Sequence, residues 1–200
     1  MSEQTKGEKP LRLFIAISIP EVVKGEIELA RNELRSLLQE SRITWTKLEQ
    51  FHLTLRFLGK VGAERVNALS EAMREVCNGF ARLKLVAKGV GCFPNLRRPR
   101  VIWVGVGDEA GQLVQLQQRI QEATEPFTSE EAEKRFHGHV TLGRVKEIGR
   151  KESKMLAERA ERMEARIFGE WHGDEVGILK SELTPEGARH SCIERIPLRG

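Results

Sequence analysis

Two short segments of the 200-residue chain combine residue types that do chemistry at a spacing that lets them act together. Phe51-His52-Leu53-Thr54-Leu55-Arg56-Phe57-Leu58-Gly59 and Gly138-His139-Val140-Thr141-Leu142-Gly143-Arg144-Val145 both contain His-x-Thr-Leu, and the two histidines stand 87 residues apart. Both segments alternate as strands do, so residues i and i+2 share a face. His52 then projects beside Thr54, and His139 beside Thr141. Leu53, Leu55 and Phe57, and likewise Val140 and Leu142, lie behind them as apolar anchors. By the same parity Arg56 shares the face of His52.

Two imidazoles converging on one site suit in-line phosphodiester hydrolysis. A neutral ring removes a proton from the attacking water, and a protonated ring donates one to the departing oxygen. Histidine serves both roles because its unperturbed pKa is about 6.5. The threonine hydroxyls and an arginine are suited to hold the non-bridging oxygens as charge builds on them. No metal is needed for this scheme and no cofactor is expected. A lone His-x-Thr on a strand is ordinarily structural; two copies, each with an apolar back, point to a site.

The elements that would position these segments follow from hydrophobic spacing. Strands are expected near 11–19, 51–58, 81–91, 101–106, 136–146, 174–181 and 190–196, and helices over 21–40, 63–78, 109–124 and 150–166. With about eight strands and four helices the chain reads as α+β. Its halves repeat one order: strand, helix, strand with the histidine motif, helix. A single repeat at this distance is a duplication rather than a solenoid period. Residues 1–10 read as a disordered start and 11–200 as a single bilobed domain.

Composition narrows the setting. The net charge is +4 and the pI about 9.1, a mild bias toward polyanionic partners. Cys77, Cys92 and Cys192 form no CxxC pair, which argues against a zinc knuckle or disulfide framework and for a reducing compartment. The polar start, MSEQTKGEKP, lacks the apolar run of a signal peptide, and no stretch approaches the ~20 apolar residues of a membrane span. A cytoplasmic protein with no membrane contact is expected.

The chain resembles the 2H phosphoesterase superfamily through its paired motifs, and more closely the RNA 2′,3′-cyclic phosphodiesterases, historically called 2′-5′ RNA ligases. RLFIAISIP, FHLTLRFLGKV, CFPNLRRPRVIWVGV, HVTLGRV and LKSELTPEGARHSCIERIPL carry the resemblance over nearly all of residues 11–198. It implies a bilobed fold in which two antiparallel sheets form a concave cleft with helices outside. It implies hydrolysis of RNA 2′,3′-cyclic phosphate ends to 2′-phosphomonoesters, with RNA as partner, tRNA fragments among the candidates. His52 is then the proton donor and His139 the proton acceptor, and Thr54 and Thr141 contact the phosphate.

Arg144 matches an arginine that commonly follows the second motif. Strict alternation sets it opposite His139, unless a bulge at Gly143 turns it inward. Arg56 is the alternative that parity favours. Phe14 matches an aromatic position of the family and stands either as a base-stacking residue or as plain core. The chain departs from the family pattern in Gly138, where proline is common, and in having no tyrosine near His190. His172 and His190 read as surface or structural residues, Trp103 as core, and Arg97, Arg98 and Arg100 as a basic turn that either touches RNA phosphates or is merely solvated. The rival activities are 2′-5′ ligation, cleavage of 2′-5′-linked oligonucleotides, and RNA binding without turnover. A monomer is expected because one chain carries both motifs.

Overall fold

Pro20 closes the first apolar run and caps the helix that follows it, so β1 (Leu11–Ser18) passes directly into α1 (Glu21–Leu37). The chain continues through β2 (Arg42–Trp45), β3 (His52–Val61), α2 (Val66–Asn78), β4 (Leu83–Phe93), β5 (Val101–Gly107), α3 (Gln112–Thr124), β6 (His139–Glu147), α4 (Arg150–Arg162), β7 (Ile167–Gly173), β8 (Glu175–Thr184) and β9 (Gly187–Pro197). The computed structural model describes residues 9–184 and 187–200. The disordered start expected for residues 1–10 therefore falls mostly outside the described residues.

Among the described residues there are nine strands and four α-helices, arranged in two wholly antiparallel sheets. One runs β3-β1-β8-β9 and the other β2-β6-β5-β4-β7. Each sheet holds one histidine motif on a long strand, β3 or β6. The helices bury their apolar stripes against the sheets: Val23, Ile27, Ala30 and Leu34 of α1, Leu69, Met73 and Cys77 of α2, and Leu113, Leu116 and Ile120 of α3. Gly111 enters α3 with a left-handed φ of 69°, and the Asp108 carboxylate accepts the N–H groups of Gln112 and Leu113. That cap starts the helix three residues later than spacing predicts.

The apolar backs of the motif strands fix their register. Leu53, Leu55, Val140 and Leu142 are at most 1% exposed. Each such side chain contributes about 1.5–3 kcal/mol relative to exposure, and a slip of one residue would turn all of them out and both histidines in.

Candidate active site

His52 and His139 line the same cleft, of about 700 Å³, between the two sheets. Thr54, Thr141, Arg144, Phe57 and His190 line it too. The two histidines are mounted identically. Nδ1 of His52 lies 2.7 Å from the Gln50 carbonyl, and Nδ1 of His139 lies 2.7 Å from the His137 carbonyl. A carbonyl only accepts, so Nδ1 carries the proton in each neutral ring, and Nε2 is left as the open position.

The strands that carry them also break at one common place. Ala16 pairs with Thr54 but Ile15 with Arg56, leaving Leu55 as an extra residue. Trp103 pairs with Thr141 but Ile102 with Gly143, leaving Leu142 as the extra one. A β-bulge at the leucine of His-x-Thr-Leu inverts the parity beyond it. Two consecutive residues then turn inward, Leu55 with Arg56 and Leu142 with Gly143, all of them buried. Phe57 and Arg144 come back to the exposed side.

The bulge corrects the expectation from strict alternation. Arg144 regains the phase of His139 and Thr141 and stands exposed on the cleft. Arg56, which parity set beside His52, is 6% exposed at the cleft margin. Its guanidinium donates to the Glu131 carbonyl at 2.7 Å and the Glu130 carbonyl at 2.9 Å. Those bonds fasten the loop after α3 against β3 and hold both terminal nitrogens of the guanidinium on that loop, while its Nε has no partner among the described residues. Glycine is not what permits the bulge, since Arg56 occupies the equivalent place in β3. At Gly143 a Cβ would come within 2.9 Å of Ile43 and 3.0 Å of Trp45, so close packing of β2 explains the glycine there.

The rings around each histidine differ. Phe14 is 2% exposed and packs 5.0 Å from His52 and 4.9 Å from His190, centroid to centroid. It is a wall behind the imidazole, in contact with the site. His190, read from sequence as surface or structural, stands 5.2 Å from His52. It arrives from β9, whose hairpin with β8 is held by the Gln50 side chain bonded to the Ala188 carbonyl. Around His139, Phe93 packs at 5.0 Å, and Trp103 lies 4.6 Å from His137. Trp103 is half-buried rather than core, because its face of β5 is the one that looks toward the cleft.

Burial, then the neighbouring His190, pushes the His52 pKa down from 6.5 to about 4. His139 is lowered by burial and further by His137 and Arg144, while its bond to the His137 carbonyl works the other way. Both rings are therefore neutral in the open cleft at pH 7. Burial pushes the Cys77 thiol up to about 11 and Cys92 to about 12, so neither supplies a thiolate near neutrality. Among the described residues, no group of three or more His, Cys, Asp or Glu side chains is placed to hold a metal ion. No described helix is long and apolar enough to cross a membrane.

The family model for LigT-like phosphoesterases matches the chain twice, over residues 17–103 and 104–190, the two halves that each hold a motif. The RNA 2′,3′-cyclic phosphodiesterase of Archaeoglobus fulgidus is 32% identical over 177 residues, 88% of this chain and 94% of that protein. That of Methanocaldococcus jannaschii is 32% identical over 187 residues, 92% and 99% of the two chains. In structure, TT0787 of Thermus thermophilus superposes with a TM-score of 0.73 at 28% identity, covering 95% of this chain and 99% of that one. Escherichia coli LigT in complex with 3′-AMP superposes at 0.69 over 96% and 100%; at 22% identity this is a likeness of fold. With the model matched in both halves and relatives aligned almost end to end, the chain belongs to the LigT-like, paired-histidine phosphoesterases, the family of the RNA 2′,3′-cyclic phosphodiesterases.

Proposed function

We propose that this protein hydrolyses 2′,3′-cyclic phosphate ends of RNA to 2′-phosphomonoesters, with His52 and His139 as acid and base. The observation that carries the reading is the pair of identically tethered imidazoles lining one cleft, each with Nε2 as its open position, beside Thr54, Thr141 and Arg144. Family membership supplies the substrate class.

In this reading water attacks phosphorus and gives a proton to His139 Nε2. The bond from phosphorus to O3′ breaks, and O3′ takes the proton of His52 Nε2. One water is consumed, and the two rings exchange protons with solvent before the next cycle. Arg144 lowers the proton affinity of His139 and so keeps it a base, while its guanidinium faces the charge growing on the non-bridging oxygens. His52 needs the opposite condition. A pKa of about 4 leaves it unprotonated in the open cleft, and an anionic phosphodiester beside it raises that value. Substrate binding thus arms the acid.

The test is a cyclic-ended RNA oligonucleotide incubated with the purified protein in EDTA, with the product identified by mass and phosphatase sensitivity. A 2′-phosphate, lost on His52→Ala and on His139→Ala, is the expected result. No product across a wide pH range overturns the reading. tRNA fragments as natural substrates, a monomeric state and a cytoplasmic location belong to the same proposal. Light scattering checks the second: a dimer mass would overturn it.

A further inference from the structure

A second depression, open and of about 1530 Å³, lies between α4 and the far end of β4. Arg97, from the loop after β4, lines it together with Arg150, Lys151 and Lys154 of α4; Glu161 is its one carboxylate. Among the described residues, Arg97, Arg150 and Lys151 have no carboxylate within ion-pair distance, and Lys154 reaches only its helix neighbour Glu158 at 3.8 Å. The Trp103 indole also lines this depression. It lies over Gly91, where a Cβ would come within 2.2 Å of the ring. The indole is also 4.6 Å from the ring of His137, which lines the catalytic cleft and whose carbonyl tethers His139. One aromatic ring therefore joins the two cavities.

We propose that this groove holds the RNA strand on the 5′ side of the cyclic phosphate, its phosphates against Arg97, Arg150, Lys151 and Lys154. The inference rests on the function proposed above. A cyclic phosphate terminates the 3′ end of its strand, so the remaining nucleotides must leave the cleft in the 5′ direction. Four cations, three of them without a carboxylate partner among the described residues, bind a polyanion by releasing its counterions. The indole, packed against Gly91, Phe93 and His137, is the wall that the groove shares with the surroundings of His139. Such a groove contributes affinity for longer RNA and leaves the chemistry at the histidines unchanged.

The test compares a ten-nucleotide RNA with a 2′,3′-cyclic end against a nucleoside 2′,3′-cyclic monophosphate, in the wild type and in an Arg150→Glu/Lys151→Glu/Lys154→Glu variant. All three positions are on the exposed side of α4, and circular dichroism checks that the fold persists. For the oligonucleotide kcat/KM is expected to fall at least about tenfold, and for the mononucleotide to stay within about twofold. The slope of log affinity against log salt should shrink by about 2, at roughly 0.7 for each phosphate that the variant no longer neutralises. Equal losses on both substrates, or no loss on either, overturn the proposal. Anisotropy of a labelled ten-nucleotide RNA with a 3′-hydroxyl end measures the groove without turnover. Weaker binding by the variant in a protein that hydrolyses neither substrate supports the groove and sinks the activity. Unchanged binding in an active protein sinks the groove alone.

Discussion

After the bulged leucine of β3 comes Arg56, with its guanidinium on the carbonyls of Glu130 and Glu131; after that of β6 comes Gly143, packed under Ile43 and Trp45. One position further, β3 offers Phe57, 53% exposed, where β6 offers Arg144. The histidines, their carbonyl tethers and the bulges are equivalent in the two strands. An identical scaffold by itself gives two identical imidazoles, and an in-line reaction needs two different ones. The difference comes from the next residues: a cation beside His139, and Phe14 with His190 beside the more deeply buried His52.

The comparison breaks most severely at the histidines. His52→Ala and His139→Ala should each lower kcat by about 10³-fold or more, with circular dichroism unchanged; a folded mutant with appreciable turnover would end the acid/base assignment. Arg144→Ala comes next, at about 10²-fold in kcat/KM. Phe57→Arg should not rescue it, because a cation beside His52 discourages the protonation that the acid requires.

Arg56→Leu acts on the other side of the bulge. It removes two partly buried charge-assisted bonds, which calls for a loss of about 3 kcal/mol of stability and a smaller kinetic effect than Arg144→Ala. Denaturant titration beside steady-state kinetics separates the two. A kinetic loss as large as that of Arg144→Ala with no loss of stability would return Arg56 to the phosphate.

The smallest effect is expected at His190. Its imidazole lowers the His52 pKa, so His190→Asn should raise the His52 titration midpoint seen by NMR, with kcat changed less than about tenfold. The pH dependence of stability has a definite sign. As pH falls below 6.5 the unfolded chain takes up a proton at His52 before the folded protein does, so stability falls between about 6.5 and 4. His52→Phe should flatten that slope in thermal unfolding measured across the window; an unchanged slope would show that burial does not hold the ring neutral.

The residues that sequence discloses best are those whose neighbours are local. His52 with Thr54, and His139 with Thr141, depend only on the period of a strand. Arg144 depends on a one-residue insertion in the ladder, which no alternation pattern records. His190 reaches the cleft from a hairpin more than a hundred residues after His52, and its surroundings (ARHSC) show no apolar alternation that would mark a packed ring. The strands β2 and β7 are illegible for related reasons. β2 has four residues, and β7 mixes exposed Ile167 with buried Phe168 and Trp171, so neither keeps a clean period. The helix expected to run to residue 166 stops at Arg162, where the chain must turn back to begin β7.

The tethers of His52 and His139 end on peptide carbonyls, and this bears on how such a site varies. A carboxylate partner can be lost to a single substitution. The carbonyl of residue 50 or 137 is supplied by every amino acid, proline included, so the orientation of both rings presents almost no target to mutation. Drift at those two positions leaves the tautomers in place. Changes in proton affinity enter instead through the side chains that flank the rings: Phe14 and His190 at His52, and Phe93, His137 and Arg144 at His139.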